Sequence, residues 1–254
     1  MRLFITSYQK SGTHQIMPAF GILDDIVDRS YVDFTTIPDK WNGRQKEINY
    51  RNVREETIQE MKKPWNKRFG HIPYLPEYVE YIQCIPTKVL FNTRDPRDVV
   101  IACYYSILKT YNKGKYPGAK GFGHLNMVDK DGTLLIHTDD PFSELIRIEA
   151  ERWKHWVGWL QHDFVMQVKY EDLRTNPDET IEKIAEFVAP YPVDVPTVVG
   201  NLKPKSTNPT FRAGRIGDWK IEFNDKQKKL ANKLFPPISQ SGTAGRRCRR
   251  CRCR

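Results

Sequence analysis

Short apolar runs alternate along the chain with longer segments in which apolar residues recur every three or four positions. The runs have the length and the β-forming residues of buried strands, and they cover residues 3–5, 31–37, 68–73, 88–93 and 164–168. The periodic segments predict helices at residues 16–27, 55–62, 76–82, 99–111, 141–161, 177–188, 195–202 and 225–235. Strands that alternate with helices in this way predict an α/β domain with a central, mainly parallel sheet.

The first predicted strand ends in a polar loop at residues 7–14 (SYQKSGTH), and a predicted helix follows it. Backbone N–H groups and the positive end of a helix dipole converge on an anion in such a unit. Gly12 lets the backbone approach closely, and Lys10 adds a mobile positive charge. Ser11 and Thr13 add hydroxyl donors. The lysine precedes the glycine, unlike the order G-x-x-x-x-G-K-[ST], so an anion site and an ordinary strand–helix turn both stay open.

A second strand–turn–helix unit covers residues 88–111. Its turn carries Arg94 directly after the strand, and Asp98 stands one helical turn further on. Ligands of parallel sheets bind beyond the carboxyl ends of the strands, where this turn and the first loop would both lie. Arg94 is therefore a candidate anion ligand, and an ion pair with Asp98 at the helix start is the alternative.

Two further segments stand out between these units and the end of the chain. Trp153, Trp156 and Trp159 recur every third residue, and we expect this stripe to pack in the core. Residues 112–140 are rich in Gly and Lys without a clear period, and a segment of this length is expected to be a functional lid or mobile.

Composition places the chain among globular proteins. At 254 residues it has room for one large domain or two small ones, and 39% hydrophobic with 28% charged residues is ordinary for a soluble domain. No apolar run has the length of a membrane span. We expect neither a secretion signal nor a membrane anchor, and a cytoplasmic location.

The positive charge is concentrated in a short tail at residues 241–254. This segment carries six arginines and three cysteines, and without those arginines the formal net charge of +10 falls to +4. The rest of the chain therefore suits an anionic ligand without requiring nucleic acid. The tail is expected to be a disordered or artefactual extension after a domain at 1–240, and nucleic acid would bind only through it. Three cysteines lack the fourth ligand of a closed zinc site.

Five segments in this order resemble signatures of the sulfotransferases that use 3′-phosphoadenosine 5′-phosphosulfate (PAPS), particularly the cytosolic type. The loop at 7–14 is similar to the family's TYPKSGTTW, and residues 94–100 (RDPRDVV) resemble its 3′-phosphate segment. His71 lies in an H-x-P like that of the family's catalytic base. Residues 170–177 (YEDLRTNP) and 212–220 (RAGRIGDWK) are similar to two further signatures.

The resemblance implies a fold, a cofactor and a reaction. The fold is a three-layer, P-loop-like (nucleotide-kinase-like) α/β domain whose sheet is flanked by helices. The cofactor is PAPS, with 3′-phosphoadenosine 5′-phosphate (PAP) as product and no metal ion. The reaction is sulfuryl transfer to a hydroxyl or amine of a small-molecule or glycan acceptor, without a membrane partner. The acceptor itself and the oligomeric state stay open.

Residue roles follow from the same resemblance. Lys10 would stabilise the charge that builds on the leaving oxygen, and His71 would take the acceptor proton. A purely structural histidine is the alternative for His71. The implied cofactor-binding residues are Lys10, Ser11, Gly12, Thr13, His14, Arg94, Tyr170, Arg212, Ala213 and Gly214.

Some positions depart from the family pattern. Gln9 stands where the family has proline, and Ala213 replaces a lysine. Ala102 takes the place of a serine that usually shares the 3′-phosphate with the arginine, and Ser106 lies one helical turn beyond it. Two other functions therefore stay open: a nucleotide or small-molecule kinase on a related fold, and a non-catalytic polyanion-binding module.

Overall fold

The fold is taken from a computed structural model of the chain. It describes residues 2–12, 16, 31–33, 67–74, 76–83, 86–112, 138–202 and 215–235. The helices predicted at 16–27 (apart from Ile16) and 55–62 lie outside these residues. The same holds for residues 113–137 of the Gly- and Lys-rich segment and for the tail at 241–254.

Five parallel strands form one sheet in the order β2-β3-β1-β4-β5. The strands are β1 (Arg2–Ser7), β2 (Tyr31–Asp33), β3 (Lys67–His71), β4 (Thr87–Thr93) and β5 (Val165–Lys169). Each begins within three residues of its predicted start, and the prediction of an α/β domain with a parallel sheet is confirmed. The register aligns the strand ends, because Ser7 pairs with Asn92 and Thr93 pairs with Lys169.

Helices follow the strands, as expected for a parallel sheet. In the described ranges they are α1 (Pro76–Gln83), α2 (Pro96–Asn112), α3 (Pro141–Lys154), α4 (Tyr170–Thr175), α5 (Pro177–Val188), α6 (Val195–Asn201), α7 (Trp219–Glu222) and α8 (Asp225–Leu234). The periodicity did not predict the short helices α4 and α7. None of the helices in these ranges has the length and apolar character needed to cross a membrane.

The prediction of a single helix over residues 141–161 is wrong for the second half of this segment. Helix α3 ends at Lys154, and a 3₁₀ helix follows at Val157–Gln161. The N–H of His155 bonds to the carbonyl three residues back, which tightens the last turn. Gly158 then packs against the Tyr74 ring, since a Cβ at this position would lie 2.2 Å from Tyr74 Cδ1.

Strand β1 separates two apolar layers. Phe4 points to one side, where it packs with α2, α3 and the 3₁₀ helix. Leu3 and Ile5 point to the other side, where they pack with α5 and α6. A strand covered on both faces reads as a continuous apolar run, which is why the sequence shows no alternation here. The resulting helix–sheet–helix arrangement confirms the predicted three-layer architecture.

The tryptophan stripe lies in the first of these layers. Trp153, Trp156 and Trp159 are buried, which confirms that they are core residues. Two of them meet the Tyr8 ring edge-on, with centroid distances of 5.0 Å for Trp153 and 5.6 Å for Trp156. The core therefore extends directly beneath the loop that follows β1.

Candidate active site

Four of the candidate residues lie at one edge of the sheet. Lys10 follows β1, His71 ends β3, Arg94 follows β4 and Tyr170 follows β5. Parallel strands bring their carboxyl ends to the same edge, so residues far apart in the sequence become neighbours there. The described chain thus has the arrangement that the strand–turn–helix units predicted.

The loop after β1 is held in an unusual backbone conformation. Lys10 has φ of 60° and Gly12 has φ of 78°, both in the left-handed region. Glycine adopts this region freely, whereas a lysine there costs about 1–2 kcal/mol and must be held by its surroundings. The chain turns here, since the N–H of Ser11 bonds to the carbonyl of Tyr8 at 3.3 Å.

Strand β4 supplies much of what holds the loop. The carbonyl oxygen of Asn92 accepts from the N–H of Tyr8 at 3.0 Å and from the hydroxyl of Ser11 at 3.1 Å. The Asn92 side-chain amide donates to the carbonyl of Ser11 at 3.3 Å. No sequence signal marks Asn92 as part of the site, because a single polar residue inside an apolar strand belongs to no motif.

Ser11 serves the loop itself in this structure. Its side chain is fully buried, and its hydroxyl proton is shared between the carbonyl oxygens of Tyr8 and Asn92. A hydroxyl has one proton to donate. In this arrangement Ser11 therefore braces the turn that presents Lys10 and Gly12.

The Lys10 side chain reaches α2. Its Nζ donates to Oγ of Ser106 at 2.9 Å. Burial lowers the pKa of the Lys10 amine, and the nearby Glu149 carboxylate partly opposes this effect. Ser106, which the sequence places one turn beyond Ala102, is therefore close enough to hold the ammonium group.

His71 is oriented by β1. Its Nδ1 lies 2.8 Å from the carbonyl oxygen of Ser7 and 2.9 Å from the Ser7 hydroxyl. A carbonyl oxygen only accepts, so Nδ1 carries the proton and Nε2 carries the lone pair of the neutral ring. The next residue is locked as well, because the N–H of Ile72 donates to Thr6 Oγ1 at 3.1 Å.

Arg94 links three segments of the chain. Its guanidinium donates to the carbonyl of Lys10 at 3.4 Å and to the carbonyl of Arg215 at 2.9 Å. The group also lies 4.6 Å from the centre of the Tyr170 ring, a cation–π distance. Burial raises the pKa of Tyr170, whose side chain is only 3% exposed. The Nε of Arg94 is buried without a hydrogen-bond partner in the described chain.

Asp98 anchors the last motif to α2. Its carboxylate accepts from the N–H of Gly217 at 2.7 Å and from the N–H of Trp219 at 3.2 Å. Burial raises the pKa of Asp98, and these backbone hydrogen bonds counteract the rise. The neighbouring Arg97 guanidinium lies 4.0 Å from the Trp219 ring centre. Residues 215–219 are therefore fixed against the start of α2, which directly follows the turn that carries Arg94.

Part of the predicted site cannot be placed. Thr13, His14, Arg212, Ala213 and Gly214 lie outside the described residues. Within the part of the chain that the structure describes, no group of three or more His, Cys, Asp or Glu side chains is arranged to hold a metal ion.

Known proteins resemble this chain over most of its length. The profile of the sulfotransferase domain family matches residues 1–191. A flavonol 4′-sulfotransferase from Flaveria chlorifolia is 23% identical over 276 aligned positions, which cover 92% of this chain and 77% of the relative. Sulfotransferase 2A1 from Rattus norvegicus is 20% identical over an alignment that covers 92% of this chain and 82% of the relative.

A solved structure also has a similar fold. Mouse sulfotransferase SULT7A1 complexed with PAP aligns with a TM-score of 0.55 at 18% identity, covering 92% of this chain and 82% of the mouse chain. This likeness agrees with the three-layer α/β architecture described above.

Proposed function

The chain belongs to the sulfotransferase family, and we propose that it transfers a sulfuryl group from PAPS to a hydroxyl or amine of an acceptor molecule. The observation that carries this proposal is the convergence of Lys10, His71, Arg94 and Tyr170 at one edge of the sheet. This edge is where a parallel sheet binds its ligand.

The donor groups at this edge fit a nucleotide with phosphates at two positions. The loop with positive φ at Lys10 and Gly12 suits the 5′ end, where backbone N–H groups and an ammonium can hold an anion. Arg94 suits the 3′-phosphate, since its buried Nε has no partner in the described chain and an arginine grips phosphate with two donors. By motif, Ser11, Thr13 and His14 complete the first half of the site, and Arg212, Ala213 and Gly214 complete the second.

Tyr170 would border the adenosine half of the site. Its ring is covered on one side by the Arg94 guanidinium and lies at the end of β5. The pair would therefore hold the 3′-phosphate and the nucleoside with one connected surface.

The protein supplies positioning, charge and a base. When bound, PAPS supplies the sulfuryl group, whose bond to the 5′-phosphate oxygen breaks as a bond to the acceptor forms. Lys10 places its ammonium charge where the leaving oxygen becomes negative, which is worth most in a site shielded from water. His71 accepts the acceptor's proton at Nε2, because its Nδ1 proton is already donated to Ser7.

We assign the acceptor only to a class. The relatives include a flavonol 4′-sulfotransferase, and a small-molecule hydroxyl is the form of acceptor we favour over a glycan or an amine. Residues 39–54 and 112–140, which match no motif, are proposed to determine which molecule is accepted. The proposal includes a cytoplasmic location.

Thermal unfolding with nucleotides tests the cofactor assignment. PAP at about one hundred times its Kd stabilises the fold by roughly 2.7 kcal/mol, which raises Tm by roughly 5–10 °C in a chain of this size. ADP lacks the 3′-phosphate and is expected to give a much smaller rise. An equal rise with ATP and magnesium, or none with PAP, would contradict the proposal and favour the kinase or the polyanion-binding alternative.

A further inference from the structure

A charged pair is buried directly beneath the loop after β1. Glu149 on α3 is fully buried, and Arg152 lies one turn further along the same helix. The Arg152 guanidinium donates to Glu149 Oε1 at 2.7 Å, and the arginine side chain is 13% exposed. Burying a carboxylate is costly unless it is paired and hydrogen-bonded, so its remaining partners matter.

Those partners are two consecutive residues of the loop. The Tyr8 hydroxyl donates to Glu149 Oε2. The Gln9 side-chain amide donates to both carboxylate oxygens, at 3.3 Å and 3.2 Å. Burial, followed by the nearby Glu149 carboxylate, raises the pKa of Tyr8 well above its usual value, so this phenol remains a proton donor. The carboxylate therefore fixes two side chains from below.

The next residue in the chain is Lys10. Its backbone has the strained positive φ, and its side chain must reach α2 from that position. With Tyr8 and Gln9 held by a buried anion, the backbone at Lys10 has little freedom to relax to a negative φ. The Glu149 contacts thus determine the direction in which Lys10 leaves the loop.

We propose that Glu149, paired with Arg152, is a positioning residue that holds Tyr8 and Gln9 and so directs the Lys10 ammonium into the site. This role rests on the function proposed above for Lys10. It also explains why Gln9 stands where the family has proline, because a proline has no side-chain amide to donate to the carboxylate.

The local charges agree with this role. Among the described residues, the side chains that act on the pKa of Lys10 are Cys103 and Lys109 on α2 and Glu149 on α3. Burial lowers the pKa of the Lys10 amine, and Glu149 is one of the groups that raises it again. Removing the carboxylate would therefore loosen the loop and also disfavour the charged form of the lysine.

The first test measures the exposure and the charge state of Lys10, both of which the Glu149 carboxylate is proposed to control, without using the enzyme reaction. Acylation of Lys10 by an amine-reactive reagent is followed by mass spectrometry in the wild type, in Glu149→Gln and in Glu144→Gln. Glu144 forms the same i,i+3 pair with Arg147 on α3 at 2.8 Å, but its side chain is 42% exposed, so it is a matched control. Glu149→Gln is expected to raise the Lys10 labelling rate several-fold and Glu144→Gln to leave it unchanged. An unchanged rate in Glu149→Gln would overturn the proposal.

The second test is a double-mutant cycle on turnover. Glu149→Gln alone is expected to lower kcat by about 10- to 100-fold with the acceptor KM unchanged, because a small misplacement of a catalytic group has effects of this size. In a Lys10→Ala background the same change is expected to lower kcat by less than about twofold. Equal losses in both backgrounds would mean that Glu149 supports only the fold.

Milder variants cover the case in which Glu149→Gln does not fold. Tyr8→Phe removes the hydroxyl's hydrogen bond to the carboxylate, and Gln9→Leu removes both amide contacts with it; each variant keeps the Glu149–Arg152 pair. Each is expected to show a smaller change of the same kind in both tests. A wild type without turnover would contradict the proposed function alone, because the labelling test still decides whether Glu149 positions Lys10.

Discussion

Nδ1 of His71 lies 2.8 Å from the carbonyl oxygen of Ser7, so the last residue of β1 determines the tautomer of the histidine at the end of β3. The parallel pairing of these two strands places the ring and the carbonyl side by side. The other ring nitrogen, Nε2, is then the one with a lone pair for a proton.

His71→Ala is expected to lower kcat by about 10²- to 10⁴-fold, because it removes the group that accepts the acceptor's proton. PAP binding, measured by calorimetry, is expected to stay near the wild-type value. His162→Ala is the control, since His162 precedes β5 at the opposite edge of the sheet and contacts the Tyr74 hydroxyl. A loss of PAP affinity without a loss of kcat would show that His71 is a structural histidine.

Lys10→Ala is expected to remove most turnover while PAP affinity falls less, because the ammonium acts mainly on charge that develops during transfer. Single-turnover kinetics at saturating PAPS separate the two effects. Lys183→Ala is suitable for comparison, since Lys183 forms an exposed pair with Glu179 on α5. Turnover equal to that of the wild type would rule out the assigned role of Lys10.

Activity is expected to fall as the pH rises through the pKa of Lys10. Burial lowers the pKa of this amine below the ordinary value of 10.5. Its active, protonated form is therefore lost at a lower pH than that of an exposed lysine. The measurement is kcat/KM for PAPS against pH. The same profile in Lys10→Arg is expected to lack this decline, because a guanidinium stays charged throughout this range. A decline that persists in the arginine variant would have to come from another group.

Arg94→Ala is expected to weaken PAP binding by about 10- to 100-fold, which is the range for losing hydrogen bonds from a charged donor. ADP binding should change little, because ADP has no 3′-phosphate. Calorimetric titration with each nucleotide gives the loss of affinity for PAP relative to that for ADP. Arg147→Ala controls for the loss of one positive charge. Equal losses for PAP and ADP would contradict a 3′-phosphate role.

Gly158→Ala is expected to destabilise the fold by about 1–3 kcal/mol, because the added methyl group would overlap the Tyr74 ring. Gly200→Ala is the matched comparison: a Cβ there meets nothing within 4 Å, and the residue lies inside α6. This second change is expected to stabilise the fold by about 0.5–1 kcal/mol. Urea unfolding of both variants measures the difference, and equal signs would contradict the packing described at Gly158.

The sequence was sufficient to predict the parallel sheet and the edge of the sheet at which the candidate site lies. The apolar runs of β1 and β4 have no competing period, and a polar turn follows each one. Arg94 and Tyr170 come directly after strands, so their placement followed from strand assignment and the rules of parallel sheets. Helix α3 was predicted too long because tryptophans at every third position fit a continuing α-helix as well as the 3₁₀ helix at Val157–Gln161, in which Gly158 packs against the Tyr74 ring.

The support beneath the loop was beyond the reach of pattern analysis. Glu149 and Arg152 have the spacing of an ordinary exposed ion pair on a helix, and Glu144 with Arg147 has the same spacing. Only the packing of α3 against the end of β1 makes one pair buried and leaves the other in solvent. The contact between Lys10 and Ser106 likewise depends on where α2 lies, which no local sequence signal gives.

Strand β1 is the central strand of the sheet, and both of its faces are covered by apolar layers. Segments of this kind open to solvent only when the whole domain unfolds, so their amides are among the last to exchange with deuterium. The loop that contains Lys10 directly follows that strand. Heat inactivation should therefore coincide with global unfolding, with no preceding step in which the loop melts while the rest of the domain stays folded.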